Sequence, residues 1–253
     1  MENQVFTRSS LRTGVPVQPG QSTSFTVKAL ATVASYDAVG GPETSGIDQF
    51  GNSFGPTESG EYVIVGMWKH VSKSQWAYSR IEWGSPLREQ KGVIEVMVSG
   101  SWHPLNEYVK DSKEDLSNLY NDYYGKKELP KTWVFNDFGH ITCFIAKDLD
   151  HDGHWDKSTE KIHHQFFHTT PPDEGLTFQK AEVILAKSHG CIHVKPLDID
   201  EMIAKGYMKK DTMVYIHDYA TAPLGPTAIE PAQPPYSLHF FPGIKKLYIK
   251  GQK

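Results

Sequence analysis

The chain has 253 residues, enough to bury a substantial core as one large domain or as one domain with an appendage. With 38% apolar and 22% charged residues and a formal charge of −4, it reads as an ordinary soluble globular protein without the basic footprint of a nucleic-acid or anionic-membrane binder. No run approaches the roughly 18 apolar residues that a membrane span requires.

In chain order, residues 1–24 are rich in Ser, Gly and Pro and predict a flexible arm. They lack the apolar centre of a signal peptide, so the sequence reads as a mature form behind Met1 or as a chain exported without a cleaved signal. Strand patterns follow over Phe25–Tyr36, Tyr62–Trp68, Gln75–Trp83 and Gly92–Val98, with a long Gly/Pro/Ser/Asn loop over 39–60. Asp111–Gly125 predicts a helix: Leu116, Leu119, Tyr120 and Tyr123 share one face, Asp111 or Ser112 can cap its start, and Gly125 can close it. Trp133–Phe135 and His140–Lys147 read as a hairpin around Asn136-Asp137-Phe138-Gly139. Asp198–Lys205 reads as a short helix with Asp198 as N-cap and Gly206 at its end, and Thr212–His217 as a strand. Five prolines between 220 and 235 predict a stiff linker, and Tyr236–Lys250 predicts strands that pair back on the body. Strands dominate and the few helices are insertions, which predicts an all-β or β-rich mixed fold over a doubly wound sheet.

The reactive stretch is Ser188-His189-Gly190-Cys191-Ile192-His193-Val194. A cysteine attacks as thiolate, and at its ordinary pKa near ~8.5 it needs a base within hydrogen-bond reach. His189, His193 and the upstream His168 are the candidates. Gly190 suits a nucleophile's turn, because an amide without a side chain can approach an oxyanion closely. Cys143, in the apolar run His140–Ile145, reads as a buried, inert thiol, since a disulfide to Cys191 would disable the chemistry.

The string Ser188-His189-Gly190-Cys191 with an upstream His168 resembles the signature of the L,D-transpeptidase (YkuD-type) family. Thr57-Glu58-Ser59-Gly60-Glu61-Tyr62 is similar to the Thr-Pro-x-Gly-x-Phe/Tyr start of a strand in that family, with Glu58 where proline is usual. Pro196–Ile216 resembles its closing helix and strand. His193 departs from the usual Arg or Asn, and the spacer from His168 to Ser188 is longer than common. The resemblance implies a β-rich sandwich or partly closed barrel with a few inserted short helices and a catalytic domain spanning 25–218; the composition beyond it adds a linker over 219–235 and a β extension over 236–253. It implies Cys191 as nucleophile, His168 as base and the Thr169 carbonyl as the group orienting that base. The amides of His189, Gly190 and Cys191 would form the oxyanion hole; Ser188 would contact substrate or hydrogen-bond within the loop, and His193 would contact substrate or be a surface histidine on the following strand. His163 and His164 read as structural.

Asp148-Leu149-Asp150-His151-Asp152-Gly153-His154-Trp155-Asp156 resembles an EF-hand or dockerin-like calcium loop, with Asp148, Asp150, Asp152 and Asp156 at positions 1, 3, 5 and 9 and Gly153 at 6. Position 12 is Thr159, and Glu160 comes one residue late, so an acidic surface turn is the competing reading. Zinc is disfavoured because no histidine pairs with a cysteine at ligand spacing. The chemistry itself requires no cofactor.

The function these readings predict is a cell-envelope L,D-transpeptidase or L,D-carboxypeptidase acting on peptidoglycan stem peptides. An antibacterial effector with the same site, held in check by an immunity protein, and a non-catalytic, calcium-stabilised wall-binding module are the alternatives. A papain-type peptidase fits poorly, because its histidine follows the cysteine.

Overall fold

The computed structural model describes residues 29–72, 76–223 and 228–253. The expected arm over 1–24 lies outside them, as do residues 25–28 of the first predicted strand and Gln75 of the third. In chain order the elements are β1 (Leu30–Val39), β2 (Gly46–Ile47), β3 (Ser53–Phe54), β4 (Gly60–Trp68), β5 (Leu87–Gln90), β6 (Val93–Val98) and β7 (Ser101–Pro104), then α1 (Lys113–Tyr124). They continue with β8 (Thr142–Lys147), β9 (Phe167–His168), α2 (Pro171–Phe178), β10 (Ile192–Val194), α3 (Pro196–Ala204), β11 (Met213–Ile216), β12 (Gln233–Phe241) and β13 (Lys246–Gln252).

Eight strands close a barrel in the order β1-β10-β9-β8-β4-β11-β12-β13. The β9/β10 and β11/β12 pairs are parallel, so the barrel is mixed. The fold is β-rich with three short α-helices, as expected, but the barrel is closed where a sandwich or partial barrel was anticipated. The near-continuous apolar runs of β4 and β8 have a simple cause. Tyr62, Ile64, Cys143 and Ile145 point into the barrel core, while Val63, Val65, Phe144 and Ala146 join a second apolar cluster outside it with Phe138 and Phe166. Both faces are buried, so neither strand alternates with polar residues.

The last residues supply two staves of this barrel. β13 pairs with β1 through contacts such as Tyr36 opposite Leu247, and β12 with β13 through Leu238 opposite Ile249. β12 begins at Gln233, inside the stretch read as linker, and Ile229 already bridges Thr32. Pro234 and Pro235 fall at the register irregularity between Gln233 and Ser237, where a missing N–H is tolerated.

Between β4 and β8 the chain builds an insertion: β5, β6 and β7 form an antiparallel sheet that, with α1, encloses a core including Ile81, Val96, Leu105, Leu116 and Trp133. Two expectations fail here. Within Gln75–Trp83, read as a strand, Ala77–Arg80 form a 3-10 turn, and Trp133–Phe135 forms no hairpin with β8. Both stretches are aromatic and β-prone, but their rings fill the insertion's core. Trp133 Nε1 donates to Tyr78 O at 2.9 Å, and Trp133 and Phe135 meet edge to face at 5.2 Å. The fully buried Asn136 donates from Nδ2 to His70 O and Ile81 O, at 2.9 and 2.8 Å, which replaces a strand ladder by side-chain ties.

The helices follow their local chemistry. Ser112 caps α1 in a capping box with Asp115, and Gly125 closes it at φ 68°. The predicted α1 face packs as expected, Leu116 fully buried and Leu119, Tyr120 and Tyr123 against the insertion core. α2 went unread, although Thr170-Pro171-Pro172-Asp173 carries its signal: a hydroxyl N-cap, then proline in the first turn. Gly175 of α2 lies so close to α1 that a Cβ there would stand 2.2 Å from Tyr123 O, so α1 and α2 dock backbone to backbone. α3 starts earlier than predicted. Its N-cap is Lys195, with no side-chain cap bond, and Asp198 sits in the first turn because Pro196 already suits the first helical position. Among the described residues no helix is long and apolar enough to cross a membrane.

Candidate active site

β9 and β10 lie side by side with His193 opposite His168 and Ile192 opposite Phe167. Strand alternation sends Phe167, Ile192 and Val194 into the barrel core. The opposite parity carries Phe166, His168, Cys191 and His193, and all four line one cleft of 740 Å³. The facing wall comes largely from the insertion: Trp76, Tyr78, Tyr123, Phe135 and Asp137. The barrel therefore supplies the thiol and imidazoles, and the insertion supplies an aromatic wall with one half-buried carboxyl, Asp137, whose pKa burial pushes up.

Cys191 follows a tight turn held by backbone-directed bonds. Gly190 adopts φ +137°, and a Cβ there would lie 2.5 Å from Gln165 Nε2, so both conformation and space require glycine. The Ser188 hydroxyl donates to Cys191 O and accepts from Gly190 N at 3.0 Å. Of the two readings of Ser188, substrate contact or a hydrogen bond within the loop, its hydroxyl makes the second. The Gly190 amide, expected in the oxyanion hole, is likewise engaged by Ser188. Thr57 Oγ1, buried, donates to Gly190 O at 2.8 Å and accepts from Gly41 N at 3.0 Å. Gln165 accepts from Glu58 N at 2.8 Å and donates to Pro56 O at 3.0 Å. Thr57 and Gln165 were not singled out as site residues, because the contacts that tie Thr57 to Gly190 and Gln165 to Glu58 span more than 100 positions of the chain.

His168 is buried, with Nδ1 2.7 Å from Thr169 O. A carbonyl only accepts, so Nδ1 carries the hydrogen and Nε2 keeps its lone pair. Thr169, fully buried, donates its hydroxyl to Glu174 Oε1, and that carboxylate also holds His140 Nδ1 at 2.5 Å. His140 Nε2 reaches Asp200 at 2.9 Å, so a chain of polar contacts from α3 through α2 stands behind the His168 strand. His193 packs its ring edge-on to His168, centroids 4.7 Å apart, with Nδ1 3.0 Å from Ala186 O. It is buried in the cleft wall and is not an exposed histidine on the strand. His189 points elsewhere: Nε2 sits 2.9 Å from Asp48 Oδ2, and the ring meets Trp76 edge to face at 5.6 Å.

The charge states follow from burial. Cys191 is half-buried in the cleft wall, and loss of solvation pushes its thiol up to about 12 against the opposing Phe166 amide. Burial, then the neighbouring His193, holds His168 well below the ordinary histidine value, with the Thr169 bond working the other way. Burial brings His193 down to about 4. At rest the cleft therefore holds a neutral thiol, with Sγ 3.9 Å from His164 O, and a neutral His168 imidazole. Two results are expected. Alkylation of Cys191 by iodoacetamide should climb with pH without levelling off by pH ~10, and the acid limb of kcat/KM should fall well below about 6.5. A plateau in alkylation below pH ~8 would mean a preformed thiolate and defeat this assignment. Circular dichroism must accompany the acid limb. Histidines depressed in the folded state bind fewer protons there than in the unfolded chain, so stability is lost as pH falls below about 6.5.

Other expected site residues separate. Cys143 and Cys191 are both free, and Cys143 is buried in β8. His163 and His164 converge with Glu58, one ligand-type atom from each lying within 4.8 Å of the others, a nitrogen–carboxylate grouping that cysteine-centred spacing could not reveal. In the acidic loop, Asp148, Asp150 and Asp152 come together, but Asp156 does not join them. Its Oδ1 accepts from Ser158 N and Oγ at 2.8 and 2.7 Å, which turns it away as a local cap.

No family model matches the chain, and no curated protein or solved structure matches it either.

Proposed function

We propose that the chain is a cysteine acyltransferase of the L,D-transpeptidase type, acting on peptidoglycan stem peptides in the cell envelope. The observation that carries this reading is the parallel β9/β10 pair, which sets His168 and Cys191 on one cleft-lining face while Thr169 O fixes the imidazole tautomer. The Ser188-to-Cys191 turn and the β-rich character of the fold are in keeping with the family resemblance.

In the first step Cys191 Sγ attacks the carbonyl of the stem-peptide donor while its proton passes to His168 Nε2. The S–C bond forms and the oxyanion is met by backbone N–H groups. Because Gly190 N–H is already bound to Ser188, the amides of Cys191 and His189 take this role. Collapse breaks the C–N bond, the leaving amine of the terminal D-residue takes the proton from His168, and a thioester remains. An amine of a second stem, or water, then gives its proton to His168 and attacks the thioester carbonyl; the C–S bond breaks and Sγ takes the proton back from His168, restoring the neutral pair. His193 packs edge-on against the base and limits how the ring can turn, while the aromatic wall of the insertion covers the acyl group.

Intact-protein mass after incubation with a carbapenem tests the reading. Attack on the strained lactam carbonyl should leave one drug mass on the wild type and none on Cys191→Ala. A folded wild type that acquires no adduct, and that leaves stem peptides uncut, would remove the acyl-transfer reading.

A further inference from the structure

We propose that the loop joining β8 to β9 binds a calcium ion through Asp148, Asp150 and Asp152, and that the ion stiffens the segment leading to His168. The three carboxylates each place an oxygen within 4.8 Å of the others, and the group contains no histidine or cysteine. Asp148 is 2% exposed. Its Oδ2 accepts from Gly153 N at 3.1 Å, while Oδ1, also buried, has no hydrogen-bond partner among the described residues. A buried carboxylate oxygen without a donor is costly, and cation coordination is one of the few ways to offset it. Oxygen ligands at alternate positions of one loop, with Gly153 turning at φ +77°, form the donor set of a hard divalent cation. Calcium accepts this irregular, flexible arrangement, whereas magnesium demands near-octahedral geometry.

The late glutamate is accounted for without coordination. Glu160, buried, accepts from Leu149 N at 2.7 Å and Asp156 N at 3.0 Å, and so closes the loop on itself. With Asp156 and Glu160 both occupied, three carboxylates and the loop's carbonyls or water complete the shell. That places the affinity in the weak class, with Kd about 10⁻⁴–10⁻³ M. The loop is joined to the site side by His163 N to Ile145 O at 2.7 Å and by the Ala146–Ile162 bridge. Trp155 N reaches Asp211 at 3.2 Å and anchors its far side.

The test uses the full, metal-stripped chain and needs no turnover, so it stands or falls apart from the acyl-transfer reading. At ten times Kd, calcium should raise Tm by about 3–6 °C, with magnesium at equal ionic strength giving under about 1 °C. Terbium luminescence excited through Trp155 should appear on binding and fall on calcium addition. The Asp150→Asn/Asp152→Asn variant changes only exposed side chains, so it should fold and lose both signals. A wild type without either signal, an equal shift from magnesium, or signals retained in the variant would overturn the site.

Discussion

Cys191→Ala is expected to lower the rate of terminal D-residue release by about 10⁴-fold or more, and His168→Gln by about 10³-fold, with the double variant no slower than Cys191→Ala alone. The reasoning is that the two groups act as one unit. With the thiol pushed up to about 12, Cys191 contributes little nucleophile until His168 takes its proton. Without the thiol, the imidazole has no proton to take, so the second substitution removes nothing further. Cys191→Ala should leave the turn intact, because the bonds from Ser188 and Thr57 that hold it end on Cys191 O and Gly190 O, which are backbone atoms. Glutamine at 168 keeps much of the volume in the buried wall, so circular dichroism should separate chemistry from folding. If the two losses multiplied, or if His168→Gln kept more than about a tenth of the rate, the base would have to be another group, and His193 would be the first to examine.

That Cys191 and His168 share one cleft was legible because they lie on short strings whose parity survives folding. Phe166 and His168 differ by two, as do Cys191 and His193, so strand alternation alone puts all four on one face once the two strands pair. The supports of the turn were not legible. Thr57, Gln165 and Glu58 meet Gly190, Pro56 and His163 through contacts set by barrel closure, and no local pattern announces a partner more than 100 residues away. The strands of the barrel were read where both faces are apolar. The aromatic stretches around Ala77–Arg80 and Trp133–Phe135 misled because β-propensity measures a fit to a half-buried surface, and a loop-built core offers the same environment. Asp156 illustrates the reverse: its spacing suits a metal loop, yet a local bond to Ser158 decides where its carboxylate goes.

Gly190→Ala is expected to lower Tm by about 4–12 °C and to cost most of the activity, since it strains the residue next to the nucleophile. Two causes contribute, and they can be told apart. A side chain at φ +137° is strained whatever surrounds it, by about 1–3 kcal/mol. The added Cβ would also meet Gln165 Nε2 at 2.5 Å. The end of a glutamine would normally swing away cheaply, but here Oε1 holds Glu58 N and Nε2 holds Pro56 O. Moving it leaves part-buried polar groups unpaired, at about 1–3 kcal/mol each. Gln165→Ala alone exposes the second cost without the first. In the double variant the clash is gone, so its loss should be smaller than the sum of the single losses by more than about 0.5 kcal/mol, the scatter for independent sites. Simple additivity would assign the whole effect to backbone strain and reduce Gln165 to a bystander. A Gly190→Ala protein within about 1 °C and twofold of the wild type would mean that the turn yields freely, and that its geometry does not aim Cys191.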